Sequence, residues 1–189
     1  MRLGRAEVTP GFLLLLAWAN YLDRQHLLPM ILIACICHEL GHYIVIRLLG
    51  NNIKGIHLSV IGASMPLAEP FGYIPEMLAS AAGPGVNLLL AHLFSASEAG
   101  ALFAGVNLIL AVFNLLPIGP LDGGRIFSCS LALLLGPYYA DRIKLFLNRI
   151  LGLMLTAAAA VLFLRWGNPT LLLGSLWLNL SVFSEKCRN

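Results

Sequence analysis

Two histidines and a glutamate occur close together in the stretch His38-Glu39-Leu40-Gly41-His42. On a helix, side chains four residues apart share a face and lie about 6 Å apart along the axis. Both imidazoles can therefore bind one Zn²⁺ ion through Zn–N bonds of about 2.0–2.1 Å. Glu39 lies near the same face, three residues before His42. The pattern favours a hydrolytic metal site, because Zn²⁺ lowers the pKa of water to about 7 and the Glu39 carboxylate can accept the proton.

The surroundings of this motif are apolar, which argues against a chance match. His38, Glu39 and His42 interrupt an otherwise hydrophobic run from residue 27 to residue 49. Each ionisable side chain costs about 3 kcal/mol at the centre of a membrane helix, so such residues are retained there for function. The motif is therefore interpreted as a metal site inside a membrane-spanning helix.

A catalytic zinc site usually has three protein ligands and one open position. Asp122 is the main candidate for the third, because it follows a stretch rich in proline and glycine that must form a turn after an apolar segment. An alternative is that Asp122 caps a helix starting near Gly124. The residues alone leave both interpretations open.

The composition indicates a membrane protein. Of the 189 residues, 59% are hydrophobic and only 11% are charged, whereas soluble domains contain about 25% charged residues. No lysine- or arginine-rich run is long enough for nucleic-acid binding, so that class of partner is excluded. Six apolar stretches predict about six transmembrane helices, at residues 10–22, 27–49, 76–95, 100–116, 143–164 and 170–183.

The positions of the basic residues predict the orientation in the membrane. With the N-terminus in the cytoplasm, 10 of the 12 lysines and arginines lie on the cytoplasmic side, and Arg24 and Arg165 lie outside. Both termini and a loop at 119–144 are therefore expected to be cytoplasmic. A cleaved signal peptide ending at Ala19 is the alternative for the N-terminus. A first membrane helix is favoured, since apolar residues continue past Ala19.

A short segment near residues 53–65 differs from the helices. Ile56, Leu58 and Val60 alternate with polar residues, which is the period of a strand. The predicted fold class is thus an all-α polytopic membrane protein with a short membrane-associated β segment. The edge of the strand Ile56 to Val60 is a candidate place for an extended substrate to add as a further strand. The alternative is that this segment is only a hairpin at the membrane interface.

The sequence resembles the site-2 protease family of intramembrane zinc metalloproteases. The resemblance rests on His38-Glu39-Leu40-Gly41-His42, on Asn114-Leu115-Leu116-Pro117 and on Leu121-Asp122-Gly123-Gly124-Arg125, and it covers about residues 27–127. It implies a Zn²⁺ cofactor with His38, His42 and Asp122 as ligands, and Glu39 as a catalytic residue. It also implies that Asn114 positions the substrate or stabilises the oxyanion.

Within the family, the chain resembles the short bacterial branch that includes stage IV sporulation protein FB. The resemblance implies cleavage of membrane-embedded or membrane-associated precursor proteins in the bacterial cell or forespore membrane, with sporulation sigma-factor processing as one such pathway. Residues 1–189 are expected to form a single domain with no appended soluble domain, so regulation is expected from membrane partners. The oligomeric state and the substrate are not predicted.

Two other classes of function share some of these features. A metal transporter or sensor could use His38, His42 and Asp122 as a transit site, but it would not need a general base such as Glu39. An inactive relative could bind membrane substrates without cutting them, but such proteins usually lose the glutamate or a ligand. The presence of all four side chains favours an endopeptidase.

Overall fold

The computed structural model describes residues 2–3, 6–24, 27–59, 62–166 and 172–176. Six helices are α1 (Pro10–Leu22), α2 (Leu28–Leu48), α3 (Tyr73–Phe94), α4 (Glu98–Asn114), α5 (Asp122–Leu135) and α6 (Pro137–Trp166). Four short strands are β1 (Arg2–Leu3), β2 (Ala6–Val8), β3 (Ile56–Ser59) and β4 (Gly62–Ser64). Residues 172–176 are also helical. This architecture confirms the predicted fold class of a helical membrane protein with a short β segment.

The apolar stretches within the described residues correspond to helices, but the prediction of a loop at 119–144 is wrong. The segment predicted as a loop at 119–144 is mostly helical, because α5 occupies 122–135 and α6 already begins at Pro137. Asp122, Arg125 and the two serines at 128 and 130 lower the hydropathy of α5, which is why the sequence does not mark it as a span. The sixth predicted stretch, 170–183, lies mostly outside the described residues.

Three of the described helices are long and apolar enough to cross a membrane: Leu28–Leu48, Tyr73–Phe94 and Pro137–Arg165. The helices α1 and α4 are apolar but shorter. Many large apolar side chains are exposed, among them Leu48 at 80% and Ile109 at 71%. Soluble proteins rarely expose apolar surface this extensive, so the surface is suited to lipid. The total number of membrane spans stays a prediction.

The chain forms two compact units, Met1–Asn114 and Leu115–Asn189. In the first, α2, α3 and α4 pack together. Their buried residues are mostly small, including Ala34, Gly41, Ala79, Gly83 and Ala104. Small residues let helix backbones approach closely, which stabilises membrane bundles. The helix α2 is further capped at its start by Asp23, whose carboxylate accepts hydrogen bonds from the N–H groups of Leu27 and Leu28 at 2.9 and 2.7 Å.

The four strands of the first unit form one sheet in the order β1-β2-β3-β4. The pair β3–β4 is the hairpin that the alternating residues predict, although Val60 lies outside the described residues. The N-terminal strand β2 pairs in parallel with β3, which the sequence analysis does not predict. Since β2 and β4 flank β3 on its two sides, β3 has no free edge. The expectation that a substrate adds to the edge of Ile56 to Val60 is therefore wrong for that strand.

The second unit contains α5 and α6, which pack against each other. Its apolar core is built on Ile118 and Leu121 from the turn that precedes α5. Leu151 and Leu155 of α6 pack against this pair. The prediction of a single domain over 1–189 is not decided by this division and stays a prediction.

Candidate metal centre

His42 has a defined ring orientation and tautomer. Its Nδ1 lies 2.7 Å from the carbonyl oxygen of Ala79 on α3. A carbonyl oxygen only accepts hydrogen bonds, so Nδ1 is the protonated nitrogen that donates. In the neutral ring, Nε2 then carries the free lone pair that a metal ion requires.

The two histidine rings converge through their Nε2 atoms. His38 Nε2 and His42 Nε2 are 3.1 Å apart, and the rings are nearly perpendicular at 82°. Two nitrogens that bind one tetrahedral zinc ion at about 2.05 Å are separated by about 3.3 Å. The pair therefore fits a shared divalent cation, as the helical spacing predicts.

The glycines at this site allow α3 to approach the histidines. A Cβ atom at Gly83 would overlap His42 Nε2 and would lie 2.7 Å from His38 Nε2. A Cβ atom at Gly41 would lie 2.8 Å from the carbonyl oxygen of Ala82 and 2.9 Å from a methyl group of Val86. The space beside Gly41 is thus filled by α3, and glycine at 83 leaves the space in front of both Nε2 atoms open.

Glu39 and Asn114 also belong to the first unit. Glu39 is half-buried on α2, directly after His38. Asn114 is the last residue of α4, and its Nδ2 donates to the carbonyl oxygen of Leu110 at 3.0 Å. This hydrogen bond lies within its own helix, so the catalytic role of Asn114 stays a prediction.

Asp122 lies in the second unit, where it is the first residue of α5, and Leu121 occupies the N-cap position. The helix thus begins two residues earlier than the capping interpretation requires. A carboxylate in the first turn is stabilised by the helix dipole as an anion, which is the form that binds a metal. The role of Asp122 as third ligand stays a prediction, which this chemistry and its motif support.

The glycines after Asp122 are required by the fold of the turn. A Cβ atom at Gly123 would overlap the carbonyl oxygen of Leu115 and would lie 2.6 Å from that of Leu116. At Gly124 a Cβ atom would overlap the carbonyl group of Ile118. The turn folds back onto the first turn of α5, so steric contact explains why both residues after Asp122 are glycines.

One polar residue of the second unit is not identified by the sequence analysis. Asn148 on α6 is only 2% exposed, and its Oδ1 accepts a hydrogen bond from the N–H of Gly119 at 3.0 Å. A polar side chain within an apolar span is a signal of function. Asn148 lies within the apolar span predicted at 143–164, so the sequence contains the signal that could have identified it.

A protein-family model and curated relatives match the chain. The model of peptidase family M50 matches residues 95–158, which include Asn114 and Asp122. A Mycobacterium tuberculosis protein named as a zinc metalloprotease, Rip3, is 30% identical over 169 residues. The match covers 79% of this chain and 41% of that protein. A protein of Methanocaldococcus jannaschii named as a zinc metalloprotease is 28% identical, over 67% of this chain and 40% of its own length.

The chain therefore spans about two fifths of the length of these curated relatives. Among solved structures, the site-2 protease from Methanocaldococcus jannaschii has the same fold, with a TM-score of 0.71 and 24% sequence identity. The similarity covers 98% of this chain and 93% of that protein. The family model, the named relatives and the matching fold agree: the chain is similar to M50 peptidases and has the fold of a site-2 protease.

Proposed function

We propose that this chain is an intramembrane zinc endopeptidase that hydrolyses peptide bonds of membrane-embedded or membrane-associated precursor proteins. The observation that carries the proposal is the convergence of His38 Nε2 and His42 Nε2, 3.1 Å apart on an apolar helix long enough to span a membrane. The names of the curated relatives support zinc as the metal.

The proposed ligands are His38, His42 and Asp122. Two neutral imidazoles and one carboxylate form a ligand set found in catalytic zinc sites, which keep one position open. Bound there, zinc would act as a Lewis acid toward the scissile carbonyl and would lower the pKa of water. The hydrogen bond from His42 Nδ1 to Ala79 holds one ligand in the required tautomer.

Glu39 is the proposed general base. Its carboxylate accepts a proton from the attacking water and then delivers it to the nitrogen of the leaving amine. Asn114 is proposed to hold the substrate or the oxyanion through its side-chain amide, because the hydrogen bond to Leu110 uses one of the two N–H donors of Nδ2. These steps need an extended substrate, because a helical peptide bond is shielded by its own hydrogen bonds.

The outer strand β4 is the proposed place where a substrate becomes extended. Unlike β3, it is one of the two terminal strands of the sheet in the described part of the chain. A membrane helix unwinds only if its backbone groups gain new partners, and a strand edge offers such partners. The proposal thus moves the site of strand addition from β3 to β4.

The wider biological role follows from the same proposal. A cytoplasmic orientation of both termini would expose the site to substrates cut on that side. Such an enzyme would act in regulated intramembrane proteolysis, controlled by membrane partners, and processing of a sporulation sigma-factor precursor is one pathway of this kind.

Co-expression with candidate precursors tests the proposed function. Wild-type protein should release a shortened product from a single-span or membrane-associated precursor, and Glu39→Gln should release none. Glu98→Gln, a carboxylate at the start of α4, serves as the matched control and should retain cleavage. Zinc uptake into vesicles without cleavage of any precursor would instead indicate a transport protein.

A further inference from the structure

Asn148 and the turn before Asp122 form a buried contact in the second unit. We call residues 115–121 the proline turn, since they contain Pro117 and Pro120. The side chain of Asn148 is 2% exposed and reaches this turn from α6, 29 residues further along the chain. Its Oδ1 accepts the N–H of Gly119 at 3.0 Å.

The proline turn has few backbone donors with which to hold itself together. Pro117 and Pro120 have no N–H group. Ile118 N–H donates to Leu116 at 2.7 Å, and Leu121 N–H donates to Ile118 at 2.9 Å. The N–H of Gly119 is satisfied by Asn148, from outside the turn. In an apolar environment, a buried N–H that loses its acceptor is costly, so this hydrogen bond selects one conformation of the turn.

Apolar contacts fix the turn on the same helix. Ile118 and Leu121 are buried and pack against Leu151 and Leu155 of α6. These two leucines follow Asn148 by three and seven residues, which places all three on one helical face. That face of α6 therefore contacts the turn through one hydrogen bond and through apolar packing.

The turn ends where the proposed third ligand begins. Leu121 is the N-cap residue of α5, and Asp122 is the first residue of the helix. A shift of the turn would therefore move the backbone that carries the carboxylate. We propose that Asn148 is a positioning residue, which sets the place of the Asp122 carboxylate by holding the proline turn to α6. This inference rests on the proposed function.

The acceptor oxygen is the feature that the test must isolate. Asn148→Leu keeps a similar size but removes the acceptor, whereas Asn148→Asp keeps an oxygen at the same place in either protonation state. Thr156→Val is the matched control, because the Thr156 Oγ1 donates within α6, to the carbonyl oxygen of Gly152 at 2.9 Å. Asp122→Ala gives the effect of removing the ligand itself.

The experiment measures the zinc dissociation constant of each purified full-length variant by competition with a chelator, together with thermal unfolding of the metal-free protein. Loss of a residue that orients a ligand weakens zinc binding by about 10–100-fold, and this range is expected for Asn148→Leu. Asn148→Asp should bind zinc more tightly than Asn148→Leu, and Thr156→Val should bind it like the wild type. A purely structural role would lower the unfolding temperature of the metal-free protein without changing zinc affinity.

The outcomes separate the inference from the proposed function. A folded Asn148→Leu protein with wild-type zinc affinity, alongside weakened binding in Asp122→Ala, overturns the positioning role alone. Equal zinc affinity in Asp122→Ala and wild type overturns both the ligand set and the positioning role. If Asn148→Leu does not fold, Asn148→Ala, which also removes the acceptor, decides: zinc affinity like that of the wild type overturns the inference, and zinc binding weakened by about 10–100-fold supports it.

Discussion

His42 donates a hydrogen bond from Nδ1 to the carbonyl oxygen of Ala79 at 2.7 Å, and this contact joins the metal-site helix α2 to α3. The same side of α3 carries Gly83, one helical turn after Ala79, beside both Nε2 atoms. The backbone of α3 thus both orients one imidazole and leaves room in front of the pair. The site therefore depends on α3 as well as on the His-Glu-x-x-His motif.

Gly83→Ala is expected to weaken zinc binding and activity. The added methyl group would overlap His42 Nε2 and approach His38 Nε2 to 2.7 Å, so the rings or the two helices must move. A displaced ligand costs about 10–100-fold in metal affinity. Chelator competition on the purified variant measures the effect.

Gly85→Ala is the control for this prediction. Among the described residues, no atom outside its own helix backbone lies within 4 Å of a Cβ atom at Gly85, so this variant should bind zinc and cleave substrate like the wild type. Wild-type zinc affinity in Gly83→Ala would contradict the placement of the metal between the two Nε2 atoms.

Variants of the proposed ligands and of the proposed base should differ in zinc content. His38→Ala, His42→Ala and Asp122→Ala should each lose most bound zinc and all activity. Glu39→Gln should lose activity by several orders of magnitude but keep zinc, because Glu39 is not a ligand. Zinc content of the purified variants and cleavage of a precursor are the two measurements. Full zinc content and activity in Asp122→Ala would exclude it as the third ligand.

Local features of the site could be predicted from the sequence, and non-local ones could not. The spacing of His38 and His42 gives the convergence of their Nε2 atoms, since both lie on one helix face. The contact between Asn148 and Gly119 joins residues 29 positions apart, and no periodic pattern encodes such a pair.

In the sheet, too, the local pairing could be predicted from the sequence and the non-local pairing could not. The hairpin β3–β4 is local, and the alternation of Ile56 to Ser59 predicts it. The parallel pairing of β2 with β3 joins Ala6–Val8 to residues about fifty positions later, and three residues carry too little pattern to indicate it. The pairing with β2 occupies the edge of β3 that the sequence alone predicts to be free for a substrate.

The orientation in the membrane leads to a labelling prediction. In a variant without the four native cysteines, Glu98→Cys, at the start of α4, should react from outside the cell with a membrane-impermeant maleimide. Lys54→Cys, between α2 and β3, should react only after the membrane is opened, because the basic residues favour the cytoplasmic side there. Labelling of position 54 but not 98 in intact cells would reverse the proposed orientation.

The last prediction concerns strand addition at β4. Successive N–H groups of a strand point to opposite sides, so of Ala63 and Ser64 one donates toward β3 and the other toward the free edge. Proline removes the N–H at its own position. One of Ala63→Pro and Ser64→Pro should therefore disturb the hairpin with β3. The other should fold and bind zinc like the wild type, yet cleave substrate about 5- to 150-fold more slowly, since the loss of one hydrogen-bond partner costs about 1–3 kcal/mol. Unfolding temperature, zinc content and turnover of both variants distinguish the two effects.

Leu58→Pro would not test strand addition, because Leu58 pairs with Val8 on one side and with Ala63 on the other. If the variant with the intact hairpin cleaves at the wild-type rate, the substrate does not use this edge, and the helix must be unwound elsewhere in the protein.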